Sequence, residues 1–190
     1  MQHAMAIASV RGAGQDRAQV VDDVIVLADG AGGSGNGALA AQAIVDAVTG
    51  ATTRDWCALL ADLDRDPNRL GHAESTAVIL TVGAAISGAS VGDSGAWLVR
   101  ESRIVDLTTG QRRTPLVGRG CVPFRVEPID FEGTLLVASD GLFAYAKPRD
   151  IVRIAEGPDL VMAAQALVDL VRLPDGALQD DVAVVLCRPA

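Results

Sequence analysis

Residues 75–107 read STAVILTVGAAISGASVGDSGAWLVRESRIVDL, and this stretch decides the fold class. It divides into four short runs, 75–82, 84–91, 96–100 and 103–107, rich in Val, Ile, Leu and Thr and separated by glycine or charged turns. Such a succession predicts consecutive strands in an antiparallel meander. Upstream, residues 22–28 (DDVIVLA) form another β-branched run, which ends at the glycine-rich stretch 30–37. Residues 38–48 then carry apolar side chains at helical spacing, so the unit predicts strand, tight loop, helix. A second short helix is predicted over 55–63, ended by the turn residues Asp66-Pro67-Asn68. Downstream, 108–128 holds three prolines without a clear period and reads as a surface loop. A strand at 133–139 (GTLLVAS), helices at 150–155 and 159–171 and a closing strand at 181–187 (DVAVVLC) complete the chain. Strands outnumber helices, and the helices cluster after Gly35 and after Lys147. The expectation is an α+β fold, one domain over 1–190, with helices covering antiparallel sheets.

Composition narrows the function. The chain has 190 residues and a formal net charge of −8, and nearly half of it is apolar with very few aromatics. Its core must therefore be built from Val, Leu, Ile and Ala. The acidic balance disfavours nucleic acid and anionic membranes. It would also repel phosphate esters, unless bound cations invert the local field. Cys57, Cys121 and Cys187 lack CxxC spacing, which argues for reduced, buried thiols and against a disulfide framework or a zinc knuckle. With no signal-like N-terminus and no membrane-length apolar run, a cytoplasmic location is expected.

Several apolar runs end on an aspartate beside a glycine: Ala28-Asp29-Gly30, Val91-Gly92-Asp93 and Ser139-Asp140-Gly141, while Asp180 directly precedes the last strand. A single Asp-Gly is usually just a turn. Repeated at strand ends, however, carboxylates gathered at one sheet edge repel each other unless a cation lies between them. Residues 30–35 also satisfy GxGxxG. Asp29 would then crowd a bound pyrophosphate, and no acid ends a second strand about 20 residues later, as ribose recognition requires. A P-loop lacks its Gly-Lys-Ser/Thr, no arginine completes a CxxxxxR phosphate loop at Cys121, and His3 and His72 read as ordinary polar residues. Asp62, Asp64 and Asp66 lack the glycine and glutamate of a calcium loop and read as a solvated face.

The motifs, taken in order, resemble the metal-dependent protein serine/threonine phosphatases of the type 2C (PPM) class. They are Arg11 with Asp16, Asp29-Gly30-Ala31-Gly32-Gly33, the strand beginning near Ser75-Thr76, Val91-Gly92-Asp93-Ser94, Ala138-Ser139-Asp140-Gly141-Leu142, and Asp180-Asp181-Val182-Ala183-Val184. The resemblance implies an αββα four-layer sandwich of two antiparallel sheets flanked by helices, with two Mn²⁺ or Mg²⁺ ions in a cleft at one end. It further implies that Asp29 bridges the ions, that Gly30 offers its backbone carbonyl, and that Asp140 and Asp180 complete one ion's ligands. Asp16 would hold metal-bound water, and Arg11 would clamp the substrate phosphate, to which a guanidinium is suited. Asp93 with Asp140 would form the weaker third site of some members. Two ions about 3.5–4 Å apart polarise a phosphoryl group and make hydroxide available near neutral pH. The expected function is hydrolysis of phosphoserine and phosphothreonine in proteins, by a monomer.

The chain departs from the pattern at four places. Ala31 stands where many relatives have His, Gly14 and Asp181 stand where they have Asn, and the stretch from Asp93 to Asp140 is short. A shortened flap predicts an exposed cleft and relaxed substrate selection. It also motivates an alternative, a catalytically weak pseudophosphatase that binds phosphorylated partners. Asp181 could either crowd the cluster or assist it, and Arg112-Arg113 is a basic step able to contact substrate.

Overall fold

The apolar runs pair into two antiparallel sheets in a computed structural model that describes every residue except Ala13 and 32–35, with Pro67 described by its backbone only. From the N-terminus come β1 (Gln2–Ala8), β2 (Asp16–Val21) and β3 (Val24–Ala31), then α1 (Gly37–Thr49), α2 (Trp56–Asp64) and a 3-10 turn over Pro67–Leu70. The two-residue β4 (Glu74–Ser75) leads into β5 (Ala77–Val82), β6 (Ala85–Val91), β7 (Gly95–Arg100) and β8 (Arg103–Asp106). Last come β9 (Phe124–Asp130), β10 (Thr134–Ala138), α3 (Asp140–Phe143), α4 (Pro148–Ala155), α5 (Leu160–Leu170) and β11 (Val182–Arg188). One sheet has the order β1-β11-β10-β7-β8 and the other β2-β3-β5-β6-β9, with β4 paired to the end of β3.

The central strands read as unbroken apolar runs because both of their faces are buried. In β3, Ile25 and Leu27 face the opposite sheet and meet side chains such as Val137 and Val185. Val24, Val26 and Ala28 face the other way, against Ala41, Ile44 and Val45 of α1 and Leu60 of α2. The second sheet repeats the pattern. Leu135 and Val137 point between the sheets, whereas Leu136 and Ala138 pack under Ile151 of α4 and Ala164 and Leu167 of α5. Three apolar layers thus separate four structural layers, which is the αββα sandwich that was expected. Truncating a wholly buried member such as Leu80 to Ala should cost about 2–5 kcal/mol.

The meander expectation is corrected. The four runs after residue 75 form two hairpins in different sheets, β5 with β6 and β7 with β8. The chain passes from one sheet to the other at Gly92, whose φ of +100° suits glycine. A Cβ there would also meet the Thr76 side chain at 2.8–2.9 Å. The predicted loop 108–128 contains a strand as well. β9 survives its proline because it is an edge strand, and Glu127-Pro128 sits where the register slips opposite Ser87. Strands β1 and β2 carried no prediction, and the alanine-rich β1 has little intrinsic β propensity. Asp64 is more than a solvated carboxylate: it accepts the N–H groups of Gly118 (2.7 Å) and Gly120 (2.9 Å), fixing the connection between β8 and β9. Burial alone would raise its carboxyl, but backbone donors outweigh that and hold it below the ordinary range.

Candidate active site

The predicted acidic residues gather at one end of the two sheets because strand pairing puts them there. Asp16 and Asp29 are direct partners in the β2–β3 register, so their side chains share a face. Asp140 follows β10 and Asp180 precedes β11, and these are neighbouring strands of the other sheet. Ser139 ties the two halves together. Its Oγ donates to Asp16 Oδ2 (2.7 Å) across the sandwich and accepts the N–H of Ala183 (2.9 Å) at the start of β11.

The Asp-Gly pairs owe their glycines to close backbone approach. A Cβ on Gly30 would collide with the carbonyl of Gly37 at the start of α1, and one on Gly141 would collide with the carbonyl of Asp181. Asp140 and Asp180 are thereby brought together. The short α3 is anchored behind Asp140 by Phe143, whose ring lies 4.6 Å from that of Trp97 on β7. On the other side, the N–H of Asp29 donates to Thr76 Oγ1 (3.0 Å), which in turn shares a 2.7 Å bond with Ser94 Oγ.

Burial and then mutual repulsion mark the cluster. Burial chiefly, then the charges of Asp16, Asp140 and Asp180, push the Asp29 carboxyl up to about 9. Asp16 is raised to about 6, again mainly by burial, despite the Ser139 hydrogen bond that opposes the shift. Asp140 is raised by burial and then by Asp93 and Asp180. The side chains converge without closing: among the described residues no three His, Cys, Asp or Glu groups are spaced as a finished ion shell. The donor chemistry nevertheless fits a hard divalent cation. Asp16 Oδ1 is buried with no hydrogen-bond partner, and Asp29 is uncomfortable as an anion until a positive charge is supplied. Asp29 and Asp140 are partly exposed and Asp180 is exposed.

Arg11 is exposed and makes no side-chain hydrogen bond or ion pair among the described residues. It lines an open groove of about 510 Å³ together with Gln15, Gln179, Asp180 and Asp181. Asp93 is engaged by Arg113, whose Nη2 lies 2.9 Å from Asp93 Oδ2. Ala31 ends β3, while Gly32 and Gly33 of the DGxGG motif, and most of the GxGxxG stretch, lie outside the described residues. Asp181 adds its charge to those that raise Asp16, while its oxygens accept the N–H groups of Val10 and Gln15. Sequence reading missed the role of Ser139, for which the only signal was a small hydroxyl closing an apolar strand.

Comparison with solved structures adds whole-chain likenesses. A point variant of a bacterial serine phosphatase superposes with a TM-score of 0.85 at 21% identity, covering 98% of this chain and 97% of that one. The PPM Ser-Thr phosphatase MsPP from Mycobacterium smegmatis, in complex with cacodylate, gives 0.79 at 23% identity over 100% and 99% of the two chains. The fold is that of the PPM phosphatases. The catalytic domain of the PPM-fold protein PstP, in complex with two manganese ions, gives 0.78 at 18% identity over 97% and 96%. At these identities the likeness establishes the PPM architecture and leaves the chemistry to the residues. No protein-family model and no curated protein sequence matches the chain. No helix among the described residues is long and apolar enough to cross a membrane.

Proposed function

We propose that this chain is a metal-dependent phosphatase of the PPM type, hydrolysing phosphoserine and phosphothreonine esters in proteins. The observation that carries the reading is the convergence of Asp16, Asp29, Asp140 and Asp180 at one rim, with Asp29 raised to about 9 by burial and by its neighbours. Asp29, Asp140, Asp180 and the Gly30 carbonyl would hold two Mn²⁺ or Mg²⁺ ions, with Asp16 orienting water. Such ions, when bound, polarise the phosphoryl group and lower the pKa of water at the site. The neighbouring PstP structure with two manganese ions supports the choice of metal.

The chain's own residues supply binding and orientation. Arg11, uncommitted and beside the acidic rim, presents a planar fork to the phosphate oxygens. Ser139 fixes the angle of the Asp16 carboxylate. Ala31 cannot donate a proton, so the departing alkoxide takes one from solvent, and esters with good leaving groups should turn over faster. A third ion at Asp93 would compete with Arg113, which holds Asp93 Oδ2, so two is the count proposed. The protein is expected to act as a cytoplasmic monomer, with specificity relaxed by the shortened flap between Asp93 and Asp140. The absence of a donor at Ala31 favours one second reading, a pseudophosphatase that binds phosphorylated partners. The presence together of Arg11, Asp29, Asp140 and Asp180 weighs against it.

The test is hydrolysis of p-nitrophenyl phosphate and of a phosphothreonine peptide across a Mn²⁺ titration, for the native chain and Asp140→Asn. Metal-dependent turnover that collapses in the variant is expected. Phosphopeptide binding with no turnover in the native chain would replace the enzyme reading with the pseudophosphatase.

A further inference from the structure

Asp181 follows Asp180, and its carboxylate, near enough to Asp16 to raise it, is held by the N-terminal loop between β1 and β2. Oδ1 accepts the N–H of Val10 at 2.7 Å, and Oδ2 accepts the N–H of Gln15 at 2.6 Å. The two donors stand at the two ends of a short loop, and Arg11 lies between them. Gly14 makes the approach possible. Its φ is +63°, and a Cβ there would lie 2.8 Å from Asp181 Oδ2 and collide with the Ser9 side chain. Inside the loop the Gly14 N–H returns to the Arg11 carbonyl (3.2 Å), and the far end is held by the Gly30 N–H donating to the Gln15 carbonyl (3.3 Å).

We infer that Asp181 is a positioning residue that clamps the Arg11 loop, setting where the guanidinium meets the substrate phosphate. The inference rests on the reading of Arg11 as a phosphate clamp. The residue type fits the task, because the two N–H donors here meet two separate acceptor oxygens on one side chain. A carboxylate has them, whereas an Asn amide has one oxygen and would oppose the second donor with its own NH₂. Charge-assisted bonds to backbone N–H are also the stronger kind. The peptide link to Asp180 and the collision that bars a Cβ from Gly141 fix the clamp's position relative to the acidic rim. One short segment, 180–181, thus serves both halves of the site: Asp180 faces the proposed ions, and Asp181 holds the loop that carries the phosphate-binding arginine.

A double-mutant cycle separates this role from a purely structural one. The native chain, Asp181→Ala, Arg11→Ala and the double variant are compared for KM and kcat on p-nitrophenyl phosphate with Mn²⁺. The affinities for inorganic phosphate and for Mn²⁺ are measured by calorimetry on the same four proteins. Asp181→Ala is expected to raise KM and the phosphate Kd about tenfold, the scale of losing charge-assisted hydrogen bonds. Mn²⁺ affinity should change by less than about threefold, and the substitution should add nothing once Arg11 is Ala. Asp181→Asn, which keeps one acceptor, should fall between native and Ala, and it carries the same cycle if the Ala variant does not fold. An equal loss in the Arg11→Ala background, or a fall in Mn²⁺ affinity that matches the rise in KM, overturns the assignment. Absence of turnover in the native chain would sink the phosphatase reading alone, and the phosphate-affinity cycle would still decide the role of Asp181.

Discussion

Ser139 Oγ donates to Asp16 Oδ2 at 2.7 Å, joining the end of β10 in one sheet to the start of β2 in the other. Both residues are buried, at 0% and 2% exposure, so no water substitutes for the bond. The same hydroxyl satisfies the Ala183 N–H. Ser139→Ala would leave a buried carboxylate oxygen and a buried N–H without partners, at about 1–3 kcal/mol each. Urea denaturation should show a lower midpoint with an unchanged slope; an unaltered midpoint would mean that the bond contributes nothing.

Acid should stabilise the metal-free protein. Asp29, near 9, and Asp16, near 6, are both raised above the ordinary 3.8, by burial first. Between pH 5 and 8 the unfolded chain has released both protons while the folded chain still holds at least one. The folded state therefore binds more protons, and stability falls as pH rises across that interval. Melting temperatures in the presence of a chelator are expected to drop from pH 5 to pH 8, and Mn²⁺ should raise them most at the alkaline end. A melting temperature that climbs over the same interval contradicts the electrostatic picture.

Gly141→Ala tests the geometry behind the Asp-Gly repetition. The added methyl must displace the Asp181 carbonyl at the start of β11, costing about 1–3 kcal/mol as overpacking and moving Asp140 away from Asp180. Mn²⁺ affinity should fall along with stability. Intact affinity in a folded variant would show that the glycine is there for its turn alone.

Much of this arrangement is legible in the sequence, for physical reasons. Strands such as β5 and β10, buried on both faces, announce themselves as apolar runs, and Asp29, Asp140 and Asp180 stand at their ends or immediately outside them. What stays hidden is long-range. Nothing local reveals that β5–β6 and β7–β8 belong to different sheets, since either arrangement buries the same side chains. Edge strands β1 and β9 carry alanine, charge and proline, because only part of their surface is covered. Asp64, Ser139 and Asp181 act on backbone groups 44–171 positions away, and no spacing rule exposes such partners. The pairing of Arg113 with Asp93 arises in the same way, from a connection whose course only the fold defines.

The central claim is that these carboxylates form a two-metal centre, and calorimetric titration of Mn²⁺ into the metal-free protein at pH 7.5 tests it most directly. The native chain is expected to bind two ions, with protons released as the Asp16–Asp29 pair ionises, and Asp29→Asn should lose saturable binding at both sites. Two ions bound unchanged in Asp29→Asn, or no saturable binding by the native chain, would contradict the account.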